Sequence, residues 1–261
     1  MILRKITVMI QKEPLMSKCE DFFRASNWYN SLAPYTWNTK FVKLREKTVA
    51  ALASGMDSEA AKDFLYSAEG KITMNDLAIP MGEIPGNAFA FVDTCAPTDT
   101  ERFTSKGGAV YSPRSALFYL LQSKKVANAA ADGEVEYICL RPFRNITKAR
   151  EFRLFVYNGK LSAMSQYHLI RHFRRLEGVK NSYWSHAEKF VNEIIWRMPV
   201  KTLVIDIYIT SAKDILIVDL NRWEECDPLL LNSWERDWNE SAGILVMDPP
   251  IAVSGDVKVS F

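Results

Sequence analysis

Alternation of apolar and polar side chains is sharpest over EFRLFVYNGKLSAMSQYH (151–168). Two runs of period two flank Asn158-Gly159, the pair that a type I′ turn requires, so the segment predicts a β-hairpin. Phe152, Leu154 and Val156 make one face, and Glu151, Arg153, Phe155 and Tyr157 the other, so Arg153 points away from the more apolar side. TKFVKL (39–44), NAFAFVD (87–93), EVEYICLR (134–141), TLVIDIYI (202–209) and DILIVDL (214–220) predict further strands. Helices are predicted over 13–30, over EKTVAALAS (46–54), and over DSEAAKDFLYSA (57–68) with Asp57 as N-cap. Others follow at SPRSALFYLLQSKKVA (112–127), with Ser112 as N-cap and Pro113 at the first helical position, at roughly 182–198, and at PLLLNSWERDW (228–238). The polar stretch from 94 through Gly108 reads as a loop, and the chain after Gly243 as an irregular tail.

Helices and strands are mixed and at least one hairpin is antiparallel, which favours α+β lobes over a doubly wound parallel sheet. IPMGEIPG (79–86) is the strongest compositional break and marks a lobe boundary. The division expected for the whole chain is a lobe over 1–133, a second over 134–243 and a tail over 244–261. Composition adds limits. The net charge of +2 does not announce a general nucleic-acid binder. Cys19, Cys95, Cys139 and Cys226 form no CxxC pair, a spacing expected of reduced thiols in a cytoplasmic protein. The apolar run at the N-terminus is too short for a signal peptide, and no run is long enough to span a membrane.

The chemistry concentrates near ILIVDLNRWEECD (215–227). Ile217, Asp219 and Asn221 share one strand face, and Val204, Asp206 and Tyr208 share another. If these strands are neighbours, Asp206 and Asp219 sit side by side, and two close carboxylates repel unless a cation lies between them. Two acids and an amide oxygen make a hard site suited to Mg²⁺; Asp and Asn at a strand end can equally begin a turn. Arg141 ends one strand and Arg153 lies in the hairpin, and their guanidinium forks suit phosphate oxygens as well as surface ion pairs. His168 and His172 lack a third zinc ligand at a familiar spacing. Arg171, Arg174, Arg175 and Lys180, interleaved with Phe173, Tyr183 and Trp184, make a basic stretch that fits RNA, an acidic partner or a solvated helix face. No P-loop and no GxGxxG occurs.

Taken in order along residues 19–238, these pieces resemble a family: the cell-division-cycle proteins that help assemble eukaryotic translation initiation factor two, with their bacterial and viral relatives. Cys19, Asn27-Trp28-Tyr29, Thr36 and Thr39 are similar to its opening pattern. FAFVDTCAPTDTERF (89–103), ALFYLLQS (116–123) and ICLRPF (138–143) fall on its next segments, and the hairpin resembles its Glu-Phe-Arg strand pair. VIDIYI, IVDLNRW and WERDW (234–238) resemble its Asp-bearing strands and Trp-Glu segment. The resemblance implies an ATP-grasp fold, two lobes with a nucleotide cleft between them. It implies that Arg141 and Arg153 contact ATP phosphates and serve as the catalytic cations. It also implies that Cys139, Pro142 and Phe143 border the adenine, and that Asp206, Asp219 and Asn221 hold Mg²⁺. The chain departs from the family pattern at Phe91, where Lys or Arg is usual, at Thr98, and at Arg222 in place of Pro. Arg102 or Lys106, followed by Gly107-Gly108, is the expected replacement for the missing cation at Phe91. Three functions stay open: an ATP-dependent ligase with an unidentified acceptor, an ATP-dependent assembly chaperone or binding module for a translation factor, and a pseudoenzyme that has lost ATP. Arg171, Arg174 and Arg175 are the expected contact for a second substrate or protein partner.

Overall fold

Residues 21–250 are described in the computed structural model. After a 3-10 turn at Asp21–Phe23 come helix α1 (Ala25–Leu32) and strand β1 (Lys40–Lys43). Three helices follow, α2 (Glu46–Ala53), α3 (Ser58–Tyr66) and α4 (Ala68–Gly82). Then come β2 (Ala88–Val92), α5 (Glu101–Lys106), β3 (Ala109–Val110), α6 (Pro113–Leu121), α7 (Lys124–Ala131) and β4 (Tyr137–Pro142). The strands form an antiparallel sheet in the order β1-β4-β2-β3. Ala88, Ala90, Val92, Ile138 and Leu140 alternate onto one face and pack under Leu65, Leu77 and Leu117 from the helices. Phe89, Phe91 and Cys139 alternate onto the other face, which closes on the second lobe.

The helix starts follow their cap residues. The Asp57 carboxylate accepts from the backbone N–H of Glu59 and Ala60, and Ser112 and Ser115 form a reciprocal capping box. The predicted helix 112–127 divides in two because the Ser123 hydroxyl accepts from Val126 N–H and so starts α7 afresh, while itself donating to Asp99 at 2.6 Å. The stretch 79–86 is no lobe boundary. Its first half is the last turn of α4, with Pro80 inside the helix, and strands on both sides of it share the first sheet. The expected loop 94–108 contains α5, which Gly107 closes in the left-handed conformation at φ 62°. β4, beyond position 133, hydrogen-bonds into the first sheet.

The second sheet is built from β5 (Glu151–Tyr157), β6 (Lys160–Gln166), β7 (Leu203–Ile209), β8 (Ile215–Asn221) and β9 (Gly243–Leu245), with helix α8 (Lys180–Ile194) between β6 and β7. Its order is β8-β7-β5-β6-β9. The hairpin forms as its pattern predicts, with Asn158 at φ 48° and Gly159 at φ 79° in the turn. Phe152, Leu154 and Val156 bury against Phe190, Val191 and Ile194 of α8. The opposite face is buried too: Phe155, Ala163 and Val204 lie under Trp234 and Trp238, with Trp223 alongside. Those rings account for one difference from the sequence reading. PLLLNSWERDW is not a helix but a 3-10 turn at Leu229–Leu231 closed by Asn232 at φ 61°, after which the chain is held irregularly by its tryptophans. The tail begins with β9, which pairs parallel to β6 rather than running free. Cys19, the first part of the predicted helix 13–30 and residues 251–261 lie outside the described residues. Among the described residues no helix is long and apolar enough to cross a membrane.

Candidate functional site

β7 and β8 are neighbours, with Asp206 opposite Asp219 and Val204 opposite Asn221; across β5 and β7, Arg153 stands opposite Asp206. Residues directly opposite in an antiparallel pair share a face. Arg153, Asp206, Asp219 and Asn221 therefore meet on one face of the second sheet, beyond the end of the tryptophan-covered patch. The register shifts between Asp206 and Ile207, where a bulge breaks the β7–β8 ladder.

Arg153 and Asp206 are both nearly excluded from solvent and meet fork to fork, Nε to Oδ1 at 2.7 Å and Nη2 to Oδ2 at 2.8 Å. The third arm of the guanidinium donates to the Asp227 carbonyl at 2.7 Å, which ties the loop after β8 to the sheet. Burial works against the Arg153 charge, but the hydrogen bonds and charge of Asp206 outweigh it and hold the guanidinium protonated above its ordinary value. Asn221 Nδ2 donates to Asp206 Oδ2 at 3.1 Å, which leaves its own amide oxygen turned away from that carboxylate. Asp206 is thus fully committed, whereas Asp219 is half-buried and its carboxylate accepts only the Leu220 N–H at 2.9 Å among the hydrogen bonds of the described residues. Burial and then the charge of Asp206 push the Asp219 carboxyl up to about 7; the Leu220 N–H, Arg141 and Arg153 pull it back in part.

Arg141 arrives from the other sheet. It lies on β4 opposite Phe89 of β2, and its Nη1 donates across the lobes to the Val218 carbonyl on β8 at 3.2 Å. Its guanidinium carbon lies 4.7 Å from the Phe91 ring centre, 5.1 Å from Trp37 and 5.3 Å from Phe89. Burial lowers the Arg141 pKa, and the Asp219 charge opposes that shift. Phe91 therefore has a role that its apolar character hid: it is one wall of an aromatic enclosure around a cation. The expected substitutes for a cation at Phe91 do not reach in. Arg102 donates to the Ala109 carbonyl at 2.8 Å and lies over Tyr111, and Lys106 is exposed at the end of α5. Gly107 and Gly108 are no flexible hinge either, since a Cβ on Gly108 would lie 2.4 Å from Tyr119 Oη and 2.7 Å from the Phe89 ring.

Cys139 is buried beside Phe91, where burial raises its thiol pKa well above the ordinary value, while Pro142 and Phe143 are half-buried at the end of β4. On the second sheet the face also carries Glu151, two residues before Arg153, whose Oε2 meets His168 Nε2 at 2.7 Å, and Tyr167, whose ring lies 5.2 Å from the Arg153 guanidinium. Alternation put Glu151 on this face; nothing in the spacing linked it to His168. Trp37 had no periodic signal, because it sits in the irregular stretch before β1. His172 shares no helix with His168; it bonds the Met247 carbonyl at 2.7 Å and Glu177 at 3.1 Å. Arg171, Arg174 and Arg175 are exposed in the loop after β6 and join none of the groups above.

Among the described residues no three His, Cys, Asp or Glu side chains are grouped to hold a metal ion. The donors that fit Mg²⁺ are the Asp219 carboxylate and the Asn221 amide oxygen, beside Asp206, a set that leaves most positions to phosphate and water. The raised pKa of Asp219 is what a carboxylate shows when it is partly desolvated, next to a second acid, with no cation against it.

Residues 116–241 match the model of the D123 family, a span that holds every residue of the cluster except Trp37, Phe89 and Phe91. A translation initiation factor eIF2 assembly protein of Kluyveromyces lactis is 31% identical over 108 residues, covering 40% of this chain and 28% of that protein. Its counterpart in Dictyostelium discoideum is 22% identical over 188 residues, 67% of this chain and 49% of that protein. The chain thus spans half the length or less of these two relatives. Among solved structures, Cdc123 from Schizosaccharomyces pombe superposes with a TM-score of 0.74 at 17% identity, covering 92% of this chain and 98% of that one. The chain is thus similar to the D123 family over just under half of its length, and its mixed α+β fold is that of Cdc123.

Proposed function

We propose that the chain binds ATP with Mg²⁺ between its two sheets and that nucleotide binding fixes the lobes so that a protein partner can dock. The observation that carries this reading is Arg141: a cation rooted in the first sheet, hydrogen-bonded to the second and standing beside the underpaired Asp219. A cation and an acid contributed from opposite sides of a cleft suit a metal-bound polyphosphate. Mg²⁺, when bound, supplies neutralisation of charge between the acids and the phosphate oxygens. Asp219 and Asn221 would hold it, Asp206 would keep Asn221 turned toward it, and Arg153 would hold Asp206 in place. Arg141 would bind phosphate, and the backbone from Cys139 to Phe143 would border the base. The relatives' description as assembly proteins for eIF2 supports a protein partner. The free thiols of Cys95, Cys139 and Cys226 fit a cytoplasmic setting.

A ligase activity at the same cleft is the second reading, in which Arg141 and Arg153 stabilise a transferring phosphoryl group. The observation that favours it is the Glu151–His168 pair on the site face, which could accept a proton from an attacking group. Calorimetric titration of ATP with and without Mg²⁺, on wild type and Asp219→Ala, tests the binding shared by both readings. Magnesium-dependent binding that Asp219→Ala abolishes supports it; absence of binding to wild type at millimolar ATP overturns it. Release of ADP or AMP that depends on an added acceptor then separates ligase from binding module.

A further inference from the structure

The loop between β6 and α8 carries charge that the cleft does not use. Arg171, Arg174, Arg175 and Lys180 lie close together in a chain whose net charge is only +2, and Glu177 is the one acid among residues 171–180. That acid is engaged by His172 at 3.1 Å. Arg171, Arg174 and Arg175 are exposed, and among the described residues none of them has a carboxylate within ion-pair distance. Immediately before them stand Leu169, 38% exposed, and Ile170, 62% exposed.

This loop is built, not slack. Gln166 Nε2 donates to the carbonyls of His168 and Arg171, at 2.6 and 3.2 Å, and Gln166 Oε1 accepts from Met247 N–H. Phe173 and Leu176 are buried beneath it, and His172 is pinned to the Met247 carbonyl. Rigid loops that display unpaired cations and aliphatic side chains lower the entropy cost of binding. The loop is also continuous with the candidate cleft, since His168 at its start holds Glu151 on the site face.

We infer that this loop is a docking platform for an acidic, aliphatic-bearing polypeptide segment, held by Arg174 and Arg175 and seated on Leu169 and Ile170, with one end at the mouth of the cleft. The inference rests on the partner-binding reading given above. Charge complementarity selects an acidic ligand. The exposed side chains select peptide over single-stranded RNA, because unstacked bases need exposed aromatic faces, whereas in this loop Phe173 is buried and Tyr167 is half-buried with its ring against the Arg153 guanidinium.

The test is selection of a random displayed peptide library on the full chain, with and without ATP and Mg²⁺. Enriched peptides are expected to combine Asp or Glu with Leu or Ile. Their affinity is expected to fall about tenfold or more on Arg174→Glu with Arg175→Glu, and to be largely kept on the paired Lys substitutions. Ile170→Ser weakens them as well, and near-UV circular dichroism confirms that each variant is folded. The platform lies within the second lobe alone, so Asp219→Ala is expected to keep the peptides that wild type binds without nucleotide and to lose only the gain that ATP and Mg²⁺ give; failure of the nucleotide site and failure of the platform therefore give different results. Enrichment without acidic bias, undiminished binding to the charge-reversed variant, or displacement of the peptides by oligouridylate at equal affinity would each overturn the inference.

Discussion

Asp219 is the acid of the candidate site whose carboxylate accepts a single hydrogen bond among those of the described residues. Its carboxyl is held near 7 by burial and by Asp206, against about 3.9 in an unfolded chain. Folding therefore favours the protonated form, so this contribution is fully present below about pH 4 and is lost as pH rises toward 7. Thermal melts should show the nucleotide-free protein losing about 3 kcal/mol between those limits on this account. Asp219→Asn should remove the slope and melt higher than wild type at pH 8, with no advantage at pH 4, while failing to respond to Mg²⁺. Replacing Asp206 has the opposite effect on stability. Its partner Arg153 is buried, and Asp206→Ala leaves an uncompensated guanidinium, so denaturant titration should register a loss of about 3–5 kcal/mol. Both acids were legible as a pair from strand alternation. Their division of labour was not, because it depends on which one Arg153 faces across β5 and β7, and register between distant strands leaves no local mark in sequence.

At the scale of elements, the turn and cap residues carried their information faithfully. Asn158-Gly159, Asp57 and Ser112-Pro113 all do in the structure what their chemistry requires locally. The failures came where tertiary contacts overrule local pattern. Residues 79–86 look like a linker, yet α4 continues through Pro80 to Gly82, with Met81 and then Ile84 packed on the first-lobe core. Residues 228–238 have a helix-like distribution, yet Trp234 and Trp238 are drawn onto Phe155 by ring contacts with centres 5.5 and 5.6 Å apart. The junction between α5 and β3 offers a direct check. Gly108→Ala adds a Cβ into Tyr119 and Phe89 at a φ of 80°, and equilibrium unfolding should show a cost of about 2 kcal/mol or more. The Phe89 ring is also a wall of the Arg141 enclosure, so the same variant should weaken ATP binding without touching a phosphate-facing group.

Across the whole molecule, polar contacts join the two lobes. Arg141 to the Val218 carbonyl is one, and Thr36 Oγ1 donating to the Ile217 carbonyl at 2.8 Å is another. Arg141→Met keeps most of the side-chain volume and removes the charge. It should reduce ATP affinity by about tenfold to a hundredfold, the worth of a charge-assisted hydrogen bond. Hydrogen exchange should quicken at residues 217–220 in the same variant, while the hairpin 151–166 keeps its protection. The enclosure of Arg141 by Trp37, Phe89 and Phe91 was not legible in advance, since its members come from an irregular segment and from a strand whose phenylalanines read as ordinary core.

The tryptophans on the back of the second sheet have an optical consequence. Trp223, Trp234 and Trp238 lie with ring centres 4.6 to 5.6 Å apart, in tilted and edge-on pairs. Indole transition dipoles at such separations couple, and coupled dipoles in fixed chiral orientation give a pair of oppositely signed circular-dichroism bands that isolated indoles do not. All three belong to the second lobe. The couplet is therefore a built-in signal for one lobe alone, present while residues 223–238 are seated on the sheet and gone when they leave it. Followed beside helix ellipticity, which draws heavily on the first lobe, it would reveal in a single instrument whether the two halves of the molecule melt together or in turn.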